Sequence, residues 1–184
     1  MDELKVRENT LIVYIADHGA DFPRAKGSIY ESGSRIPMIV NYPKAFSSGK
    51  EEEGMVSTID ILPTMMELCE MDVPEELPGR SLVALDRKER KGRKYIQTFT
   101  TGSSPNLLYL QFGIRDDRFK LIYNPYRHVN HLAVSRYVNS KLPDEEKVEM
   151  FVRPPEWELY DLEKDPYEWK NLAEQKDYLE KRKE

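Results

Sequence analysis

Three side chains that could do chemistry lie close together near the start of the 184-residue chain: Asp17, His18 and Lys26. A carboxylate such as that of Asp17 suits a hard divalent cation. An imidazole suits manganese, zinc or iron better than calcium, so His18 leaves the identity of a bound metal open. The compact ammonium of Lys26 can stabilise negative charge on the oxygens of an anion. These three residues are therefore candidates for a metal and anion site.

The element that must position these side chains is the apolar run at residues 11–16. It lacks the alternation of a half-solvated strand, and so it predicts a strand that is covered on both faces, as in a parallel sheet. Ligands gather at the carboxyl ends of strands in such sheets. Adjacent side chains on a regular strand point to opposite faces, so Asp17 and His18 can share one ion only if the strand breaks there. Gly19 permits that break.

Each of these residues also has an interpretation without a ligand. Asp17 could cap a turn, His18 could cap the end of the strand, and Lys26 could be an ordinary solvated lysine. Lys26 precedes a glycine, where the backbone can approach a ligand closely, and this favours a functional role. Glu31 and Arg35 are four residues apart with opposite charges, which predicts a structural ion pair.

Composition excludes several classes of function. The net charge is −5, so the chain has no excess of lysine and arginine with which to neutralise nucleic-acid phosphates. Cys69 is the single cysteine, and it can form neither an internal disulfide nor a cysteine zinc site. No apolar run approaches the roughly 18 residues of a membrane span. The charged start of the chain is no secretory signal.

The remaining pattern predicts two domains. Residues 1–90 contain a second apolar strand at 36–42 and a helix that begins after Ser57 and runs to about Met71, and they form an α/β domain. Prolines and a charged stretch at 86–94 mark the boundary. Residues 91–184 predict a small α+β domain with an antiparallel sheet, built from strands at 94–100, 108–115, 118–123 and 157–162 and a closing helix at 178–184. Asp116 and Asp117 predict a hairpin turn between two of these strands.

Several stretches, in order along nearly the whole chain, match one known family. They are DHG at 17–19, KGSIYESGSRIP at 26–37, STIDILPT at 57–64, LPGRSL at 77–82, RDDRFKLI at 115–122 and ELYDLEKDP at 158–166. This set resembles the C-terminal part of a sulfatase, a branch of the alkaline phosphatase superfamily. The short interval between Asp17 and Lys26 and the WELYD stretch at 157–161 look most like the heparan N-sulfatase, or sulfoglucosamine sulfohydrolase, group.

The resemblance implies a fold, a cofactor and roles for the three residues. It implies a sulfatase-type α/β sheet domain followed by the small antiparallel domain. In the whole enzyme a hydrated formylglycine attacks sulfur while one divalent cation holds the sulfate, with Asp17 and His18 as metal ligands and Lys26 on the sulfate. Calcium is the usual metal of the family, which commonly has asparagine where this chain has His18, and manganese or zinc is an alternative. His18 could instead bind the sulfate.

The formylglycine is expected to lie outside this chain. Its Cys/Ser-x-Pro-x-Arg motif does not occur in the sequence, so the resemblance implies that the chain carries half of an active site. We expect the chain to be inactive alone and to need a missing N-terminal half, or to self-associate through the apolar face meant for that half. The resembled enzymes are commonly exported, to the periplasm, the cell exterior or the lysosome.

Two further regions could bind a sulfated carbohydrate. Residues 125–155 form an irregular insert with a short predicted helix at 132–140, where Tyr126, Arg127, His128 and His131 could recognise a sugar. The two histidines could also be ordinary surface residues. The basic run at 87–94 could attract a polyanionic glycan or serve as a solvated linker.

Two other functions stay open at this point. A phosphodiesterase or phosphonate monoester hydrolase of the same superfamily would also pair aspartate with histidine at this position. A non-catalytic module would bind sulfated glycan or a partner chain. Assays of sulfate and phosphate esters on the complete protein separate the first from a sulfatase, and glycan-binding measurements test the second.

Overall fold

The computed structural model describes residues 1, 3–21, 24–102, 108–125 and 153–184. The chain forms two units. The first comprises Met1–Ile15 and Pro37–Ile96, and the second comprises Ala16–Ile36 and Gln97–Glu184. Residues 16–36, which follow the first strand, therefore group with the C-terminal part of the chain. No helix in the described ranges has the length and apolar character needed to cross a membrane.

The first unit contains a two-stranded sheet. Strand β1 (Ile12–Ile15) pairs with β2 (Met38–Asn41) in an antiparallel register that sets Ile12 opposite Asn41. The prediction of a parallel sheet covered on both faces is wrong for the described chain, because the pairing is antiparallel and Tyr14 is exposed. An apolar run indicates that a strand prefers apolar surroundings, but it carries no information on the direction of the neighbouring strand.

Two short helices complete the first unit. A 3-10 turn (Thr58–Asp60) leads into α2 (Ile61–Leu68), and α3 (Leu82–Asp86) follows. The predicted helix after Ser57 is confirmed, although it ends three residues before Met71. The Thr64 hydroxyl joins the two helices, since it donates to Asp60 O (2.6 Å) and accepts from Leu82 N–H (2.9 Å).

Asp60 is the buried polar centre of this unit. Its carboxylate accepts hydrogen bonds from Ser57 N–H (2.9 Å) and Arg80 N–H (2.7 Å), and it forms an ion pair with Arg93. Arg90 donates to Ser81 O (2.8 Å). The basic run at 87–94 is thus only partly a solvated linker, because two of its arginines fix nearby loops.

The second unit is built on a four-stranded sheet. Its strands, β3 (Ile96–Gly102), β4 (Leu108–Arg115), β5 (Phe119–Tyr123) and β6 (Trp157–Asp161), are neighbours in that order. The pairs β4–β5 and β5–β6 are antiparallel, which confirms the predicted antiparallel sheet. The hairpin at Asp116 and Asp117 is confirmed as well, because the Asp116 carboxylate accepts from the N–H groups of Arg118 (2.9 Å) and Phe119 (2.6 Å).

The two faces of this sheet cover different parts of the chain. On one face Ile122 and Tyr160 pack against Ile29 and Tyr30 of the segment that follows β1. That segment includes α1 (Glu31–Ser34). The other face carries apolar residues of β5 and β6 that pack against Leu172, Ala173 and Tyr178, just before the last helix α4 (Leu179–Lys183). The predicted closing helix is confirmed. Residues 24–35 therefore lie on the face of the sheet that carries Ile122 and Tyr160, which is called the inner face below.

Candidate functional site

Asp17 and His18 lie in a loop that begins where β1 ends, at Ile15. The two side chains approach each other, with His18 Nε2 3.4 Å from Asp17 Oδ2. The Asp17 side chain is 86% exposed and that of His18 is 34% exposed. Because the strand has ended, the alternation that would separate neighbouring side chains does not apply. The structure therefore brings the two predicted ligands together at the surface of the second unit.

The hydrogen bonding of His18 determines which ring nitrogen can face a ligand. Its Nδ1 lies 2.6 Å from Gly19 O, and a carbonyl oxygen only accepts, so Nδ1 carries a proton and donates. The other ring nitrogen, Nε2, faces the Asp17 carboxylate. A protonated ring forms an ion pair with that carboxylate, and a neutral ring with its proton on Nδ1 offers Nε2 as a ligand for a cation.

Gly19 is required by a close approach of two backbone segments. Its N–H donates to Gly33 O (3.0 Å), and a Cβ on Gly19 would lie only 1.7 Å from Ser32 O. Gly33 is similarly crowded, because a Cβ there would lie 2.2 Å from Ala25 O. The loop with Asp17 and His18 is thus pressed against the segment 24–35, and substitution of either glycine would separate the two.

Lys26 belongs to the turn at the start of that segment. Its backbone N–H donates to Ala20 O (3.1 Å), and Gly27 beside it has a φ of +79°, a left-handed conformation that favours glycine. The Ser28 hydroxyl donates to Arg24 O (2.7 Å) and closes the turn. The backbone of Lys26 is therefore tied to the loop that follows Asp17 and His18.

The other predicted site residues do not add to this pair. Within the described ranges no three or more histidine, cysteine, aspartate or glutamate side chains are grouped so that they could hold a metal ion. His128 and His131 lie outside the described residues, as do Tyr126 and Arg127. The carboxylate of Glu31 contacts Arg115 (2.5 Å) and Lys120 (3.0 Å), so the predicted pairing with Arg35 is wrong.

A set of buried polar residues beneath the segment was missed by the sequence analysis. Its members are Arg24, Lys120, Glu158, Tyr160 and Glu168. The sequence does contain a signal for Lys120. It lies two residues before Ile122 in β5, so the two side chains are on the same face of the strand, which is the apolar one. Such a lysine needs a buried partner.

Burial affects the pKa of both glutamates in this set. Burial raises the pKa of Glu158, against hydrogen bonds from Tyr160, Asn124 and Tyr30 that favour the carboxylate. Burial also raises the pKa of Glu168, and the nearby Lys120 ammonium opposes that change. On the inner face of the sheet, burial and neighbouring groups thus act in opposite directions on the pKa of each glutamate.

Comparison with known proteins identifies the family. The family model described as "N-sulphoglucosamine sulphohydrolase, C-terminal" matches residues 24–133. A protein of Formosa agariphila named "Ulvan-active sulfatase" is 30% identical over 190 aligned positions, which cover 95% of this chain and 31% of the relative. The chain therefore spans about a third of the length of this relative.

Solved structures agree with this assignment. One solved protein, BT4656 in complex with its substrate D-glucosamine-2-N,6-O-disulfate, is 25% identical to this chain and superposes with a TM-score of 0.72. The alignment covers 99% of this chain and 33% of the BT4656 chain. A phosphonate monoester hydrolase of Agrobacterium radiobacter has a TM-score of 0.68 at 22% identity, covering 98% of this chain and 34% of its own, and that likeness concerns the fold alone. The predicted fold class is confirmed, and the chain belongs to the sulfatase family whose C-terminal model matches residues 24–133.

Proposed function

We propose that this chain supplies part of the divalent-cation and sulfate site of a hydrolase that acts on sulfated sugars. The observation that carries the proposal is the Asp17–His18 pair, held 3.4 Å apart in a loop pressed against the Lys26 turn. Family membership supports the sulfatase class. The sugar disulfate in the neighbouring structure and the ulvan named for the relative support a sulfated carbohydrate as substrate.

The donor set of the pair fits a divalent cation. The Asp17 carboxylate and the Nε2 of a neutral His18 ring can both act as ligands of one cation, because they lie 3.4 Å apart. In this proposal Asp17 and His18 hold the cation, and further ligands come from other parts of the complete protein. The bound cation supplies positive charge that polarises the sulfate group. The imidazole favours manganese or zinc, while calcium is the metal expected from the family.

Lys26 is proposed to contact the sulfate. Its ammonium would stabilise the negative charge carried by the sulfate oxygens while the bond to the sugar breaks. The glycine that follows lets the backbone come close to the substrate, and the hydrogen bond from Lys26 N–H to Ala20 O (3.1 Å) ties this position to the cation loop. The roles of His128 and His131 in sugar recognition are part of the same proposal.

Cleavage needs a nucleophile that this sequence lacks. The Cys/Ser-x-Pro-x-Arg motif, from which formylglycine is made in the family, does not occur in the 184 residues. We therefore expect no hydrolysis by the chain alone, and hydrolysis of N-sulfated or O-sulfated glucosamine by a protein that contains both this chain and that motif. Turnover of a sulfate ester by the 184-residue chain would contradict this expectation.

Titration of the complete protein, which contains the further ligands, with MnCl₂ by calorimetry tests the cation site directly. Asp17→Asn and His18→Ala should each weaken Mn²⁺ binding by more than about tenfold, because the first removes the negative charge of a ligand and the second removes a ligand. Asp72→Asn, which alters an exposed carboxylate in the first unit, is the control and should bind as the unaltered chain does. If Asp17→Asn and the control bind Mn²⁺ equally well, the pair is not the cation site.

A second candidate function is hydrolysis of phosphonate or phosphate esters, favoured by the fold shared with the phosphonate monoester hydrolase. Its discriminating assay uses the complete protein with glucosamine sulfates and with a phosphonate monoester at equal concentration. We expect the sulfates to react faster. Preference for the phosphonate would reverse the order of the two candidates, and binding of sulfated glycan without turnover of either substrate would indicate a non-catalytic module.

A further inference from the structure

The ammonium group of Lys120 is enclosed on the inner face of the second unit's sheet. Its side chain is 1% exposed, although lysine is almost never fully buried without a partner. The Nζ donates to Ile29 O and lies 3.0 Å from Glu31 Oε1, 3.5 Å from Ser34 Oγ and 3.5 Å from Glu168 Oε1. Three of these four acceptors belong to the segment 24–35. A strand of the C-terminal sheet thus holds that segment through one charged group.

Glu168 strengthens the same attachment from the other side. Its carboxylate is buried, and it lies 3.5 Å from Lys120 through Oε1 while Oε2 accepts from Glu31 N–H (2.7 Å). Glu31 also forms an ion pair with Arg115 of β4 (2.5 Å). Glu31, the first residue of α1, is therefore held through both its backbone N–H and its carboxylate, within a buried network of charges.

Arg24 fixes the start of the segment. Its guanidinium donates to Tyr167 O (2.8 Å) and Glu168 O (2.6 Å), and its Cζ lies 4.0 Å from the ring centroid of Tyr30. Lys26 is two residues beyond this anchor, and Glu31 is five residues further on. Both sides of the Lys26 turn are consequently attached to residues of the C-terminal part of the chain.

The attachment continues to the loop of Asp17 and His18. The end of α1 receives a hydrogen bond from Gly19, whose N–H donates to Gly33 O (3.0 Å). The absence of a Cβ on Gly19 and Gly33 allows the two backbones to touch. A continuous path of contacts therefore runs from Lys120 through Glu31 and α1 to Gly19, which is covalently linked to His18.

We propose that Lys120 is a positioning residue for the cation and sulfate site, which acts by holding residues 24–35 in place beneath the Asp17–His18 loop and the Lys26 turn. This inference rests on the proposed function. Stability alone explains the buried charge poorly, because a buried ion pair can often be replaced by apolar side chains without loss of stability. A fixed backbone at the site is what the ion pair provides here.

The test compares Lys120→Met with Arg118→Met in the complete protein that contains this chain. Arg118 lies in the turn just before β5 and pairs with Asp161 (2.7 Å), so its removal breaks an ion pair without touching residues 24–35. Three quantities are measured for each variant: unfolding in urea, hydrogen exchange of the amides of residues 19–35, and Mn²⁺ affinity by calorimetry. Lys120→Arg, which restores a cation, serves as the conservative variant.

We expect Lys120→Met to raise exchange at Gly19, Gly33 and Ser34 and to weaken Mn²⁺ binding by roughly 10- to 100-fold, the usual range for residues that orient metal ligands. Arg118→Met should change neither, even where it lowers stability by a similar amount. Lys120→Arg should recover part of the Mn²⁺ affinity. If Lys120→Met does not fold, the double variant Lys120→Met/Glu168→Gln removes the unpaired carboxylate while keeping an acceptor for Glu31 N–H, and the same results are expected for it.

The outcomes separate this inference from the proposed function. A folded complete protein that does not bind Mn²⁺ at all refutes the cation site, whatever the exchange rates of the variants. An unaltered complete protein that binds Mn²⁺, with Lys120→Met binding it equally well, refutes the positioning role and leaves the cation site standing. Faster exchange at residues 19–35 without a change in affinity also refutes the positioning role.

Discussion

At the scale of single residues, the inner face of the sheet shows how burial and hydrogen bonding oppose each other at one carboxyl group. Glu158 is fully enclosed, and it accepts from Tyr30 Oη (2.8 Å), Asn124 Nδ2 (2.8 Å) and Tyr160 Oη. Three donors favour the carboxylate, while removal from water disfavours it. The effect of burial is the larger one, and the pKa of Glu158 is raised.

This raised pKa predicts how stability depends on pH. A carboxyl group whose pKa is higher in the folded state contributes most to stability below its unfolded pKa, near 4.5, and loses that contribution as pH rises through the folded pKa. Glutamine does not titrate, so the Glu158→Gln variant does not lose this contribution. The free energy of unfolding of the variant should therefore increase relative to that of the unaltered chain as pH rises from 4 to 8. The expected gain is about 1.4 kcal/mol for each unit by which the pKa is raised.

Urea unfolding at several pH values measures this difference. Glu180→Gln alters a carboxylate in α4 whose side chain is 87% exposed, and it is the matched control. Its stability relative to the unaltered chain should stay constant over the same range. A constant difference for Glu158→Gln as well would mean that the hydrogen bonds from Tyr30, Asn124 and Tyr160 fully compensate the burial.

At the scale of elements, the turn between β4 and β5 depends on one aspartate. Asp116 Oδ1 accepts from the N–H groups of Arg118 and Phe119, and Oδ2 lies 2.9 Å from Lys181 Nζ of α4. Burial alone would raise the pKa of Asp116, but the hydrogen bonds from Phe119, Lys181 and Arg118 outweigh it and the pKa is lowered. Asp116 therefore stabilises both the turn and the contact with the last helix.

Removal of this side chain should destabilise the second unit. Asp116→Ala is expected to lower the free energy of unfolding by roughly 1.5–3 kcal/mol, because hydrogen bonds to a charged group are lost. Asp117→Ala, at the exposed neighbouring position, should change it by less than about 0.5 kcal/mol. Since the pKa of Asp116 is lowered, the difference between the two variants should shrink as pH falls below about 4. Equal effects of the two substitutions at neutral pH would show that the turn does not depend on the Asp116 carboxylate.

The elements that local pattern predicts are those whose signals lie within a few residues. The hairpin and the strands of the second unit alternate in polarity or end at turn residues, and they were predicted from the sequence. Helix α3 was missed, because it has only five residues and runs directly into a charged stretch. The partners of Glu31 were missed for another reason: Arg115 and Lys120 are 84 and 89 residues away, and spacing rules reach only one helical turn.

At the scale of the whole molecule, the candidate site also contains some features that local sequence predicts and others that it does not. The contact between Asp17 and His18 is possible because β1 ends before them, at Ile15, and a break of the strand at this place was expected from the sequence. The support beneath them, from Lys120 and Glu168, comes from strands and loops distant in sequence and depends on how the sheet folds back over residues 24–35. Local sequence thus indicates candidate ligands more readily than the residues that support them.

The first unit presents apolar side chains to solvent, and this predicts how the chain behaves alone. Tyr14 and Ile39 face each other across β1 and β2, and they are 62% and 60% exposed. Leu62 and Met65 of α2 are also exposed. Exposed apolar side chains of this size, when they are adjacent, favour association because burial removes them from water.

We therefore expect the 184-residue chain to self-associate at micromolar concentration, as measured by size-exclusion chromatography with light scattering over a range of loading. Ile39→Lys should shift the distribution toward monomer, since it places a charge at the centre of the exposed pair. Tyr167→Lys is the matched control, because Tyr167 is 74% exposed in the second unit and its contact with Arg24 uses the backbone carbonyl, which the substitution keeps. A monomer at every concentration, or an equal effect of the two substitutions, would mean that the Tyr14–Ile39 pair does not drive association.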